Sequence, residues 1–272
     1  MISLLKKKTV IGVIHLLPTI GYAGFISVEK ILNKALEDLS ILEKGGVDAI
    51  IIENNYDLPH KIKVNSETIT LIGYIIGKIK EKTNLSMGVS ILWNDFESAL
   101  SLAKIYNCDF IRIPVFVDYV KTSFGEIKGE PERAIQFRKK IGAENILIFA
   151  DIQVKHAEIL NKRLIYESAQ EAIMKHADGL IVTGKWTGNA PLIEDLRNVK
   201  RAAGEKVPII VGSGADKNNI DSLLEFADAV IISTSLKEGE NKPKSKERNV
   251  KSYDAKIDLK KVKEFLIKVR KY

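Results

Sequence analysis

Eight short apolar runs, each followed by a stretch of helical periodicity, constrain this chain more than any other feature. They are VIGVIH (10–15), AIIIEN (49–54), MGVSIL (87–92), FIRIPV (110–115), ILIFAD (146–151), GLIVTG (179–184), PIIVGSG (208–214) and AVIIST (229–234). Near-continuous apolar runs mark strands buried on both faces, the situation of parallel strands covered by helices. The intervening segments carry helix ends. Ser27 precedes Ile31, Leu32, Ala35, Leu39 and Leu42, Gly45-Gly46 stops that helix, Asp95 suits a cap, and Pro131 and Pro191 suit first turns. Eight β-α units in 272 residues predict one α/β domain over 1–272, a TIM (β/α)8 barrel closed by a C-terminal helix at about 258–271. An open doubly wound sheet is the alternative; the lack of an early G-x-G-x-x-G and the late position of the glycines argue against it.

Charge and cysteine content narrow the class. The net charge of +7 comes entirely from 237–272, which holds 13 Lys/Arg against 6 Asp/Glu, so the barrel itself is neutral. Such a basic end reads as a solvated lysine-rich face; apart from Tyr253 and Tyr272 it lacks the aromatics of a nucleic-acid site, and no nucleic-acid partner is expected. Residues 238–256 have no apolar periodicity and predict a basic, flexible eighth β-α loop that stands clear of the core or orders over a ligand as a lid. A single cysteine, Cys108, excludes a disulfide framework and fits a reducing cytoplasm. The apolar run after Lys6 to Lys8 is interrupted by His15 and reads as a first strand, and no run reaches the ~20 apolar residues of a membrane span. A soluble cytoplasmic protein is expected, and richness in Lys, Ile and Glu points to a thermophile.

In such a barrel the active site stands at the C-terminal strand ends, and here those ends are polar. They present His15, Glu53 with Asn54, Asn94 with Asp95, Arg112, Asp151 with Lys155, and Thr183. The fifth end reads FADIQVKHA; if the strand continues, Asp151, Gln153 and Lys155 share a face, the outer two roughly 13 Å apart. Acid, base and amine in one mouth suit proton transfer, carbonyl polarisation or a Schiff base, so Asp151, Lys155, Glu53 and His15 are the catalytic candidates. Asn54, Asn94, Arg112 and Thr183 are candidate substrate contacts. Structural readings stand beside these: Asp95 as a helix cap, Asn54 as a turn residue, Arg112 in an ion pair with Glu53 or Asp151, and His156 and His176 as structural histidines.

The late glycines carry a further signal. VGSG and STS end the seventh and eighth strands, the two loops that bind phosphate through backbone N–H groups in many such barrels. Gly184, Gly212, Ser213, Gly214, Ser233, Thr234 and Ser235 are the candidate phosphate ligands, with Gly212 and Gly214 allowing close approach of an anion; ordinary tight turns are the alternative. Neither a metal-ligand spacing nor a P-loop or G-x-S-x-G elbow occurs, so no cofactor is expected. Asp151 with Glu53 is the one place named for a divalent ion, without support from spacing.

VIGVIHLLP, GGVDAIIIEN, ILWND, FIRIPV, ADIQVKHA, IVTGKWTG, VGSG and STSLK together resemble, in order, the blocks of the BtpA family, from residue 10 to about 237. The resemblance implies a ribulose-phosphate-binding type of TIM barrel. The positions that match the family's pattern are His15, Glu53, Asn54, Asp57, Asn94, Asp95, Arg112, Asp151, Lys155, His156, Thr183, Gly184, Gly212, Ser213, Gly214, Thr234 and Lys237. Trp93, Pro114 and Ser233 depart from it, standing where the family has arginine, asparagine and glycine, and 238–256 is longer than the family's usual link to its last helix. The leading expectation is an enzyme acting on a small phosphorylated sugar or nucleotide-like substrate by isomerisation, aldol or lyase chemistry, or glycosidic cleavage. The alternative is a non-catalytic assembly or stabilising factor. The family's founding cyanobacterial member implies that second reading through its link to photosystem I biogenesis, together with peripheral membrane contact. A homo-oligomer is compatible with either.

Overall fold

The computed structural model describes residues 8–239 and 251–272. Among them the chain runs β1 (Thr9–His15), α1 (Val28–Gly45), β2 (Ala49–Glu53), α2 (Ser66–Lys80), β3 (Ser86–Ser90), α3 (Phe96–Ile105), β4 (Phe110–Ile113), β5 (Tyr119–Thr122), β6 (Gly125–Lys128), α4 (Pro131–Lys140), β7 (Leu147–Ile152), β8 (Glu158–Ile159), α5 (Ile165–Met174), β9 (Gly179–Val182), α6 (Ile193–Ala203), β10 (Ile209–Val211), α7 (Ile220–Leu224), β11 (Ala229–Ile232) and α8 (Leu259–Val269). Eight parallel strands close a barrel in the order β1-β11-β10-β9-β7-β4-β3-β2, each falling within or one residue beyond its apolar run. The chain is a TIM barrel.

Strand alternation sorts the apolar residues into two cores. Ile11, Val13, Ala49, Ile51, Phe110, Phe149, Ile181, Ile210, Ala229 and Ile231 fill the lumen. Their neighbours, among them Val10, Ile14, Ile50, Ile52, Ile111 and Ile148, face outward into the larger core beneath the helices. Phe110 and Phe149 stack with centroids 4.8 Å apart at the centre of the lumen. Glycines make room for them: a Cβ on Gly88 would lie 2.0 Å from the Phe110 ring and one on Gly179 2.6 Å from Phe149.

Helix ends follow the local chemistry. Ser27 Oγ accepts from Lys30 N at 3.1 Å, and Gly46 ends α1 in the left-handed region at φ 91°. Asp95 caps α3 by accepting from Ser98 N at 3.2 Å, and Pro131 occupies the first turn of α4. Pro191 does not enter its helix; Leu192 is the cap of α6, so the proline stands just outside it.

A three-stranded antiparallel sheet, in the order β6-β5-β8, is an addition that no apolar run announced. It roofs one side of the barrel mouth through a small core of Leu92, Trp93, Val115, Val120, Ile127 and Val154. Of the loop expected over 238–256 to stand clear, residues 240–250 lie outside the described residues. Of the returning part, 251–256, Lys251 is buried and the Tyr253 ring lies 4.7 Å from that of Tyr56, while Ser252, Asp254 and Lys256 are exposed; just beyond it Ile257 is buried and bridges Lys237. Ile257 is the buried anchor, and four residues before it the half-exposed Tyr253 ring leans on Tyr56.

Candidate active site

One step along the strands above the apolar lumen, the same inward positions carry polar groups. Register sets His15 beside Glu53, and Glu53 beside Ser90. Arg112 rises from β4 between two acids. Its Nε and Nη2 donate to the two Asp151 oxygens at 2.8 Å each, and its Nη1 donates to Glu53 Oε1 at 3.0 Å. This is a bidentate guanidinium–carboxylate pair with a third bond to a second acid. Burial raises the Asp151 carboxyl against the pull of Arg112. For Glu53 burial also pushes upward, but the Arg112 charge and the His15 contact outweigh it and bring the acid down to about 2. The second oxygen of Glu53 faces His15 Nε2 at 3.5 Å, and His15 Nδ1 faces Ser233 Oγ at 3.4 Å. Burial, then Lys237 and Lys155, lowers the imidazole to about 4 against the opposing Glu53, so the ring is neutral at neutral pH.

The expected continuation of β7 through Lys155 fails at Gln153. That residue takes φ 52°, in the left-handed region, which ends the alternation. Its amide turns away from the mouth and donates to Arg163 O at 3.0 Å and Ser168 Oγ at 3.3 Å. Lys155 still reaches the mouth, by a different route. Its backbone N–H donates to Thr183 Oγ1 at 3.0 Å, which orients the turn, and its side chain lines the central cavity beside Glu53, Arg112 and His15. Burial and the like charge of Arg112 lower the amine from 10.5 to about 8. Lys155 makes no ion pair with a described residue.

Asp151 itself is walled off from the cavity behind Arg112, its side chain 0% exposed. The acid pair named for a divalent ion is thus bridged by a guanidinium, and no group of three or more His, Cys, Asp or Glu suited to a metal occurs among the described residues. Three of the expected substrate contacts hold loops instead. Asn54 Oδ1 accepts from Leu92 N at 2.7 Å while its Nδ2 donates to Asp57 and to Leu92 O. Asn94 brackets Val115 through both backbone groups at 2.9 Å, and Thr183 is spent on Lys155.

The glycine-bearing loops have a mixed outcome. Gly212 N donates to Val182 O at 2.9 Å and Gly184 N to Ser213 Oγ at 2.8 Å, so those two donors are used internally. The glycines answer to packing. A Cβ at Gly214 would lie 2.0 Å from Ala190 N, one at Gly184 2.3 Å from Asn189 O, and one at Gly212 2.4 Å from Ile181. By contrast, the N–H groups of Ser213, Gly214, Thr234 and Ser235 make no hydrogen bond to described residues, and all four residues line the cavity. Ser235 Oγ donates to Ala215 O at 2.8 Å and ties the two loops together.

Several lining residues were not among the candidates. Lys237 Nζ donates to the Tyr56 hydroxyl at 3.0 Å and lies 5.4 Å from the centre of that ring. Lys251 donates to Glu238 O at 3.0 Å and also to the Gly239 carbonyl. Lys237 was marked only as a position matching the family pattern, and Lys251 only by its place in the loop past the last strand end. The cavity, about 130 Å³, is lined by Arg112, Lys155, Lys237 and Lys251 against the carboxylates of Glu53 and Asp216. Trp93, Pro114 and Ser233, where the chain departs from the resemblance, line it as well.

No helix among the described residues is long and apolar enough to cross a membrane. The fold matches thiamine phosphate pyrophosphorylase from Pyrococcus furiosus with a TM-score of 0.58 over 98% of both chains, at 15% identity, a likeness of fold alone. An uncharacterized protein of Methanocaldococcus jannaschii is 36% identical over 240 residues, covering 87% of this chain and 90% of its own length. The photosystem I biogenesis protein BtpA of Synechocystis is 34% identical over 233 residues, 84% of this chain and 80% of its own. The model of the BtpA family matches residues 6–271, and with these relatives it establishes that the chain belongs to the BtpA family.

Proposed function

We propose that the barrel mouth is the active site of an enzyme acting on a small phosphorylated substrate. The observation that carries this is that Gly214, Thr234 and Ser235, whose N–H groups are unspent on described residues, line the same cavity as Lys155, Glu53 and His15. Backbone donors with lysines beside them suit a phosphate, and the excess of lining cations over carboxylates suits an anion. The phosphate would rest on the loops after β10 and β11, with Ser213 and Ser233 at its edge, and the reacting carbons would lie over Lys155. In this reading a neutral His15, its Nε2–H directed at ionised Glu53, takes or returns a proton through Nδ1. Asp151 holds Arg112, which holds Glu53; both are positioning residues.

A non-catalytic biogenesis or assembly role is the second reading, favoured by the name of the Synechocystis relative. Thermal melts with phosphosugars, nucleotides and their dephosphorylated forms decide between the two. A ligand that binds only the native state raises Tm with concentration. The enzyme reading expects shifts with phosphorylated compounds and turnover of at least one. Absence of any phosphate-dependent shift would sink it and leave the assembly role.

A further inference from the structure

The lysines of the cavity are not alike. Lys237 is engaged by the Tyr56 hydroxyl and Lys251 by backbone carbonyls, whereas Lys155 has no ion pair among the described residues and faces Arg112, a like charge. Its backbone is held by Thr183 Oγ1, and the next residue is held by a His156 N–H bond to Lys185 O at 3.2 Å. An amine that is fixed at its base, open at its tip and set beside a second cation is arranged as a nucleophile. Glu53 and His15 supply an acceptor and a relay within the same mouth.

We propose that Lys155 Nζ forms an imine with a phosphorylated aldehyde or ketone, so that the substrate class is a carbonyl phosphate and the reaction proceeds through a covalent intermediate. This rests on the phosphate-binding reading above. The Nζ lone pair adds to the carbonyl carbon, the C=O π pair takes a proton to become a hydroxyl, and one nitrogen proton is lost. The carbinolamine then expels its hydroxyl with a proton as water while the nitrogen lone pair forms C=N⁺. One neutral amine, one carbonyl and one proton give one iminium and one water, with no redox change. The new positive charge sits where that of the lysine sat, near Glu53, and withdraws electrons from the adjacent C–H or C–C bond. That suits enolisation or aldol cleavage and disfavours direct glycosidic hydrolysis. Burial and Arg112 keep a usable fraction of the amine unprotonated near neutral pH, since its midpoint falls to about 8.

The test is borohydride trapping on the intact protein with dihydroxyacetone phosphate, glyceraldehyde 3-phosphate and ribulose 5-phosphate, read by intact mass and peptide mapping. The expected result is one dominant adduct on the peptide containing Lys155, suppressed at least tenfold by inorganic phosphate. It should be absent from Lys155→Arg, a variant whose folding is checked by its melting temperature. The rate of trapping should rise with pH around about 8. No adduct with any of the three, or labelling spread over surface lysines and unchanged in Lys155→Arg, overturns the imine. A Tm shift with inorganic phosphate separates the failures: retained, it leaves the phosphate site standing while the imine falls; lost as well, it takes both.

Discussion

Val13 and His15 stand two positions apart on one strand, and so do Ile51 and Glu53, Phe110 and Arg112, and Phe149 and Asp151. The lower member of each pair packs in the lumen; the upper enters a charge network or lines the cavity. Strand, parity and burial are shared, and only the chemistry changes. The lower layer is close-packed around two stacked rings and needs nothing from solvent pH. The upper layer holds a buried cation between two acids, an arrangement that often does no better than an apolar replacement, and a lysine that burial disfavours. Stability therefore resides in the lower layer, and the upper layer has been arranged for something else.

Two truncations of similar size break the comparison most sharply. Arg112→Met leaves Glu53 and Asp151 buried without their counter-charge and should cost about 3–5 kcal/mol in urea denaturation at pH 7. Phe149→Ala should cost about 3–5 kcal/mol as well, through a cavity. Lowering the pH should rescue the first, as the two acids take up protons, and leave the cost of the second unchanged. Equal pH response in both would remove the distinction between the layers.

Next in size is the acid response of the native chain. His15 protonates at 6.5 when unfolded but at about 4 when folded, so acid favours the unfolded state between those values. The stability lost there is on the order of 3 kcal/mol. Glu53 adds a second loss between 4.5 and about 2, because its folded-state ionisation is favoured. A denaturation series in His15→Asn should lack the upper step and retain the lower one.

Lys155→Met sharpens the contrast from the other side. The folded amine at about 8 lies below the unfolded 10.5, so the unfolded state binds the proton more tightly and the lysine penalises folding at neutral pH. Replacement should stabilise the protein at pH 7 by roughly 1–3 kcal/mol, fading as pH rises from about 8 to 10.5. A destabilised variant at pH 7 would contradict this. The smallest effect expected is for Ser235→Ala, which removes the 2.8 Å bond between the loops after β10 and β11 and should cost about 1 kcal/mol in stability. Its phosphate-dependent Tm shift should shrink but persist.

The barrel was legible because parallel strands buried on both faces leave long apolar runs, and the parity that puts Ile11 and Val13 inward also puts His15 inward. Arg112 was legible as a charge in need of partners, since Asp151 stands on the adjacent strand and Glu53 on the next but one. What escaped has physical causes too. A positive φ at Gln153 leaves no trace in hydropathy, and strands of two to four half-exposed residues in β5, β6 and β8 look like loop. Gly212 and Gly214 were read as making room for an anion, whereas each makes room for a neighbouring strand or loop, as Gly184 does too. Lys237 matched the family pattern but its place in the cavity, like that of Lys251, depends on tertiary contacts that no local pattern encodes.

Arg112 draws on Glu53 from β2 and Asp151 from β7 at once, and this ties the history of three distant positions together. A lineage that loses the arginine first inherits two opposed buried acids, and one that loses an acid first inherits an unsatisfied guanidinium. Each single step away from this trio therefore leaves a buried charge without its counter-charge. Relatives should then keep or change the three positions together, which an alignment of the family would check, whereas Pro114 and Ser233 on the same rim are not held by the guanidinium.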